Sequence, residues 1–147
     1  MLNEISQLEN ELYADDEVTF NVSKAQRIVQ LYNEFVLQFS SDKELAPEYL
    51  FKTADVCLGL QDHLQALRVL ERIITNYPDF NKIVESYYLK AFVLDAHIGK
   101  KGEAQEAYRA LINKFPEHKL ADDASAAIKV LTMSDEDLIK MFEEKNK

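Results

Sequence analysis

Residues 47–79, PEYLFKTADVCLGLQDHLQALRVLERIITNYPD, constrain the fold more than any other stretch, because a second copy follows them. Ala54, Ala66 and Pro78 are spaced 12 and 12 residues apart, and Ala91, Ala104 and Pro116 are spaced 13 and 12 apart. Between these landmarks Leu70 matches Tyr108, Ile73 matches Leu111, Ile74 matches Ile112 and Tyr77 matches Phe115. Small residues belong where two antiparallel helices touch, and large ones fill the space between successive pairs. The proline ends the second helix of each pair. One such hairpin cannot bury its apolar face alone, so copies must stack.

Hydrophobic periodicity extends this pattern to eight helices. The first, residues 2–14, has a narrow apolar face of Leu2, Ile5, Leu8 and Leu12 and an acidic opposite face. Ala14-Asp15-Asp16-Glu17 breaks it, and Asn21-Val22-Ser23 offers helix-starting residues. The second, 23–39, carries the wide stripe Ile28, Leu31, Tyr32, Phe35, Val36 and Phe39, as expected of a helix packed between neighbours. The third, 47–60, places Pro47 in its first turn, where the missing N–H costs nothing. Residues 59–63 form a turn, and the fourth helix, 63–76, stops at Tyr77-Pro78-Asp79. The fifth, 83–97, leads to a turn at 99–102. The sixth, 103–115, ends in Phe115-Pro116, and the seventh spans 120–131. Ser134 followed by Asp135, Glu136 and Asp137 reads as an N-cap with acids in the first turn of an eighth helix, 135–144. Helix two supplies a partial copy of the repeat at an offset of 38, and helix seven mirrors helix five, with Leu120 and Leu131 at the places of Ile83 and Leu94.

Composition narrows the function. Lys and Arg number 17 against 26 Asp and Glu, a net charge of −9, and the positive charges are scattered. Phosphate-backbone binding needs clustered Lys and Arg, so nucleic acid is excluded as a partner class. An anionic membrane surface would repel the chain, and no apolar run reaches transmembrane length. Only three Gly and three Pro occur, which favours helices. At 147 residues the chain can bury roughly 68–70% of its unfolded surface without disulfides or metals. Cys57 stands alone beside Val56 and Leu58 and reads as an inert core thiol.

The landmarks resemble the tetratricopeptide repeat (TPR). The first copy keeps that family's 34-residue spacing from Pro47 onward. It departs in having no Trp at its start and Cys57 in place of the usual Tyr. The copies are displaced by 37–38 residues, with the extra residues near 81–83 and at 99–102. Longer periods ending in an aromatic-Pro pair look more like the bacterial envelope subfamily, which includes outer-membrane assembly lipoproteins and a periplasmic coordinator of cell division. ELYADD, APEYLFK and LADDA further resemble small repeat proteins common in Bacteroidetes, often predicted lipoproteins. The resemblance covers about residues 24–131. It implies an all-α fold: a right-handed TPR-like superhelix of antiparallel helix pairs, about eight helices, with terminal capping helices. The expected layout is one domain over 1–147, with a capping helix and linker in 1–19, repeats in 24–131, and a capping helix and tail in 134–147. It also implies a non-enzymatic scaffold or adaptor that binds another protein or peptide.

In stacked repeats of this kind the first helix of each pair lines the concave face. The groove-facing candidates are therefore Glu48, Phe51, Asp55 and Leu58 from helix three, Glu85, Tyr88, Phe92 and Asp95 from helix five, and Asp122 and Ser125 from helix seven. An acidic groove floored with aromatics suits a basic peptide with apolar anchors. The alternative is that helix one or eight covers the rings and leaves only solvated acids. A clamp for a peptide C-terminus, which uses Lys and Asn, is not supported, because Phe51, Asp55, Tyr88 and Phe92 occupy those places.

No catalytic, cofactor or metal motif stands out. His63, His97 and His118 fall near helix ends without the i, i+4 spacing of helical zinc ligands, and read as solvated turn residues. Asp122-Asp123 and Asp135-Glu136-Asp137 lack the alternating pattern and central glycine of a calcium loop. A structural subunit that self-associates through its terminal helices is the rival to a peptide-binding scaffold, and an enzyme would need a pocket of convergent titratable groups. MLNEISQLENEL is not a signal peptide. The compartment is periplasmic or lipoprotein-anchored if a signal segment precedes this numbering, and cytoplasmic otherwise.

Overall fold

The computed structural model describes residues 2–13 and 21–146, and every regular element among them is helical. The break expected at residues 14–17 lies outside the described residues. In chain order the elements are α1 (Leu2–Tyr13), α2 (Val22–Gln38), α3 (Leu45–Gly59), α4 (His63–Asn76), α5 (Ile83–Phe92), a π-helical segment (Val93–Ile98), α6 (Lys101–Lys114), α7 (Lys119–Thr132) and α8 (Asp135–Lys145). This is the expected all-α, TPR-like helical repeat of eight helices. The chain divides into two compact units, Met1–Ser86 and Tyr87–Lys147, with the boundary inside α5.

In the first unit α1 packs on α2, α2 on α3 and α3 on α4. Ile5 of α1 is buried with Ala25, Ile28, Leu31 and Tyr32 of α2, Val56 and Cys57 of α3, and Ala66 of α4. The acidic face of α1 is not simply solvated, as its sequence implied. Glu4 pairs with Arg27 at 3.1 Å, Glu11 with Lys24 at 2.9 Å and Glu9 with Lys52 at 3.3 Å, so the acids tie α1 to α2 and α3. Lys24 beside Glu11 holds that carboxyl below its ordinary range.

The third helix begins at Leu45, two residues before the expected start. The cause is Asp42, whose side chain accepts the N–H groups of Glu44 (3.0 Å) and Leu45 (2.9 Å) and whose carbonyl accepts that of Ala46 (3.1 Å). These bonds satisfy donors that a helix start leaves orphaned. They also draw the Asp42 carboxyl below its usual range, Leu45 contributing most. Pro47 still falls in the first turn, buried. At the other end, Asp62 N–H donates to Cys57 O (2.8 Å) and Gln61 N–H to Leu58 O (3.0 Å), a Schellman closure with Gln61 at φ 60°. Asp62 then caps α4 by accepting from the Gln65 N–H at 3.3 Å.

The small landmarks behave as the repeat pattern requires. Ala54, Ala66, Ala91 and Ala104 are all fully buried. Tyr77 and Phe115 end their helices with nearly the same backbone, φ −133°, ψ 60° and φ −131°, ψ 58°. Each donates its N–H four residues back at 2.8 Å, Tyr77 to Ile73 and Phe115 to Leu111.

In the second unit the π segment packs on α6, and α6 on α7. Helix five was expected to be regular to residue 97. Instead it widens at Val93 into the π segment, which closes on Gly99 at φ 77°. The extra residue between Ala91 and Ala104 is thereby taken up: helical structure runs seven residues past Ala91 to Ile98, against five past Ala54 to Gly59, and the following connection is one residue shorter. Single insertions into a helix are accommodated in just this way. His118 is not a solvated turn residue but the N-cap of α7, its Nδ1 accepting from the Leu120 N–H at 3.0 Å. His63 is half-buried at the start of α4. Ser134 caps α8 as expected, accepting from the Asp137 N–H at 3.2 Å.

Candidate functional site

The predicted residues fall into two subsets, one in each unit. In the first, Glu48, Phe51, Asp55 and Leu58 follow along α3. Glu48 and Phe51 are half-buried and Asp55 is exposed. Leu58 is half-buried against the core cluster that contains Ile5 of α1, so it serves packing there. Phe51 lies 6.1 Å from the buried ring of Phe80.

Lys82, which sequence reasoning passed over, occupies this face. Its Nζ lies 3.5 Å from Glu48 Oε1 and 5.2 Å from the centroid of Phe51. Burial pushes the Asp55 carboxyl above its ordinary value, and the Lys82 charge opposes that shift. The signal for Lys82 was its separation of 34 residues from Glu48, one family repeat length, which brings the start of one repeat's first helix beside that of the previous one. Glu85, also of this unit, is half-buried, and its Oε2 is buried without a hydrogen-bond donor among the described residues. Beside Glu48 and Phe80, a depression of about 420 Å³ opens between Lys43 and Asp79.

In the second unit Tyr88 is half-buried, 5.8 Å from the buried ring of Tyr108. The Tyr108 hydroxyl donates to Asp95 Oδ2 at 3.4 Å, and Asp95 sits on the π segment. Burial raises the Tyr88 phenol, with the charges of Asp123 and then Asp95 adding to it. Tyr108 is raised further by burial first and then by Asp95. Phe92 is 40% exposed, its ring edge-on to His97 at 5.7 Å. Asp122 and Ser125 are exposed on α7. Asp123 acts on Tyr88 and was not among the expected residues. Its signal was no more than adjacency to Asp122, one helical step of about 100° around α7.

Other titratable groups are spread through the fold. Cys57 is fully buried, and burial pushes its thiol up to about 12, with Asp62 adding to the shift. Among the described residues no three His, Cys, Asp or Glu side chains are grouped to hold a metal ion. Among them, too, no helix is long and apolar enough to cross a membrane.

No curated protein matches the chain. Residues 48–79 and 85–118 match the tetratricopeptide-repeat family model, the first segment holding most of α3 and all of α4, the second α5 to α6. Repeats of this class mediate protein–protein interaction, and over these two segments the chain is similar to them.

Proposed function

We propose that the protein is a non-enzymatic scaffold that binds a basic peptide segment with apolar anchors through the acidic-aromatic faces of its first-of-pair helices. The observation that carries this reading is Lys82: an ammonium is seated on Glu48 and over Phe51, so this face holds a cation beside a ring. The orphan Oε2 of Glu85 adds an acceptor in the same unit. In the second unit Phe92 offers an exposed ring, and Asp95, Asp122 and Asp123 supply charge. The long repeat period and aromatic-proline ends favour a bacterial envelope accessory, with the lipoprotein resemblance belonging to this proposal.

Such faces attract a positive segment at long range and hold it by apolar contact at short range. Association should slow as salt rises, because the Debye length falls from about 10 Å at 0.1 M to about 3 Å at 1 M. The partner would be identified by crosslinking and then measured against four variants at two salt concentrations. Asp55→Lys and Glu85→Lys are expected to lower the on-rate. Tyr88→Ala and Phe92→Ala are expected to raise the off-rate, by about 2 kcal/mol if either is a hot spot. Wild-type binding by all four, with loss of binding on changing the outer faces of α4 and α6, would overturn the reading.

A second reading, self-association through the terminal helices, is favoured by Ile139 and Phe142 of α8, exposed at 58% and 60%, and Leu2 of α1 at 52%. A mass that rises with concentration in light scattering, and no longer does so on deleting residues 1–19, would support it.

A further inference from the structure

Glu48, Phe51 and Asp55 stand at i, i+3 and i+7 on α3, which aligns a carboxylate, a ring and a second carboxylate along one helix face. One ammonium addresses all three. Lys82 Nζ is 3.5 Å from Glu48 Oε1 and 5.2 Å from the Phe51 centroid, and its charge is felt at Asp55. Yet the Lys82 side chain keeps 45% of its exposure. An ion pair and a cation–π contact made by so exposed a side chain are weak, and water or another cation can replace them.

We infer that the Glu48–Phe51–Asp55 row is a subsite for a primary ammonium, the lysine side chain of a partner peptide, and that Lys82 competes for it from within the chain. The inference rests on the proposed function and gives it a named contact. An incoming lysine meets the carboxylates and ring that Lys82 now touches, while Lys82 turns to solvent. The depression of about 420 Å³ beside Glu48 and Phe80 leaves room for the neighbouring side chain of the same peptide. Lys82 thus sets a threshold: a single lysine gains little over the internal one, and a segment with adjacent apolar anchors gains more.

The experiment uses n-butylammonium, the simplest copy of a lysine side chain, titrated into the full chain while the Phe51 ring and Asp55 carboxyl resonances are followed by NMR. Lys82→Met removes the competing charge and keeps the apolar stem. The apparent dissociation constant should fall about five- to tenfold in this variant, the scale set by losing one exposed cation–π contact and one surface ion pair. Neutral n-butanol should shift neither resonance. Equal constants in the two proteins would overturn the competition and leave the proposed function standing. No shift at Phe51 or Asp55 in either protein, or the same shift from n-butanol, would overturn the subsite and the reading of this face with it.

Discussion

Gly99 and Gln61 hold the same left-handed backbone, φ 77° and φ 60°, where the first helix of each pair ends. Only one of them is a glycine. A Cβ built on Gly99 meets nothing within 4 Å, so Gly99→Ala carries a backbone cost alone, about 1 kcal/mol in urea melts. Gln61→Gly should do the opposite and stabilise by about 0.5–1 kcal/mol, because relief of the left-handed strain exceeds the added unfolded-state freedom. A neutral result at both positions would mean that these closures are looser than their hydrogen bonds imply. Single residues also mark where sequence reading fell short. Pro47 announces a helix start so clearly that it masks Asp42, whose side chain opens the helix two residues earlier. His118 looked like a turn residue because histidine is an uncommon cap, and only the 3.0 Å bond to Leu120 shows its role.

At the scale of helices, the buried alanines govern how closely partners approach. Ala66→Leu or Ala104→Leu should overpack its hairpin and cost about 1–3 kcal/mol, whereas Ala→Leu at an exposed helix site would be nearly neutral. Denaturant melts decide it, and two near-zero values would contradict the repeat register. α1 is held differently, by one buried anchor and a set of exposed ion pairs. Ile5→Ala should therefore cost about 2–4 kcal/mol, while Glu4→Gln or Glu11→Gln costs about 1 kcal/mol or less. Amide exchange across α1 would rise in the first case and barely change in the others. These helices were legible because their apolar residues recur every three or four positions, and α4 falls at the expected bounds, 63–76. The π segment was not. A spacing of 13 residues between Ala91 and Ala104 reads equally well as a longer turn or a wider helix, and periodicity does not separate the two. The row on α3 was legible from its spacing, but Lys82 was not, because it precedes α5 and reaches α3 only through the fold.

For the whole molecule, the net charge of −9 sets the preference for cationic partners, and the placement of Lys82 shows that the chain already answers part of that charge locally. Two compact units, each with its own packed helices, raise the question of whether they open together. The chain carries its own probe for this. Its single thiol, Cys57, lies fully buried in the first unit, with burial pushing its ionisation far above neutral pH. A thiol-specific reagent must wait for α3 to be uncovered, so at saturating reagent the labelling rate becomes a clock for the opening of that unit and no other. Set against the loss of helical circular dichroism, which both units share, the clock tells cooperative melting from stepwise melting. Labelling that keeps pace with the loss of ellipticity means one transition, and labelling that runs ahead of it means that the first unit yields while the second still stands.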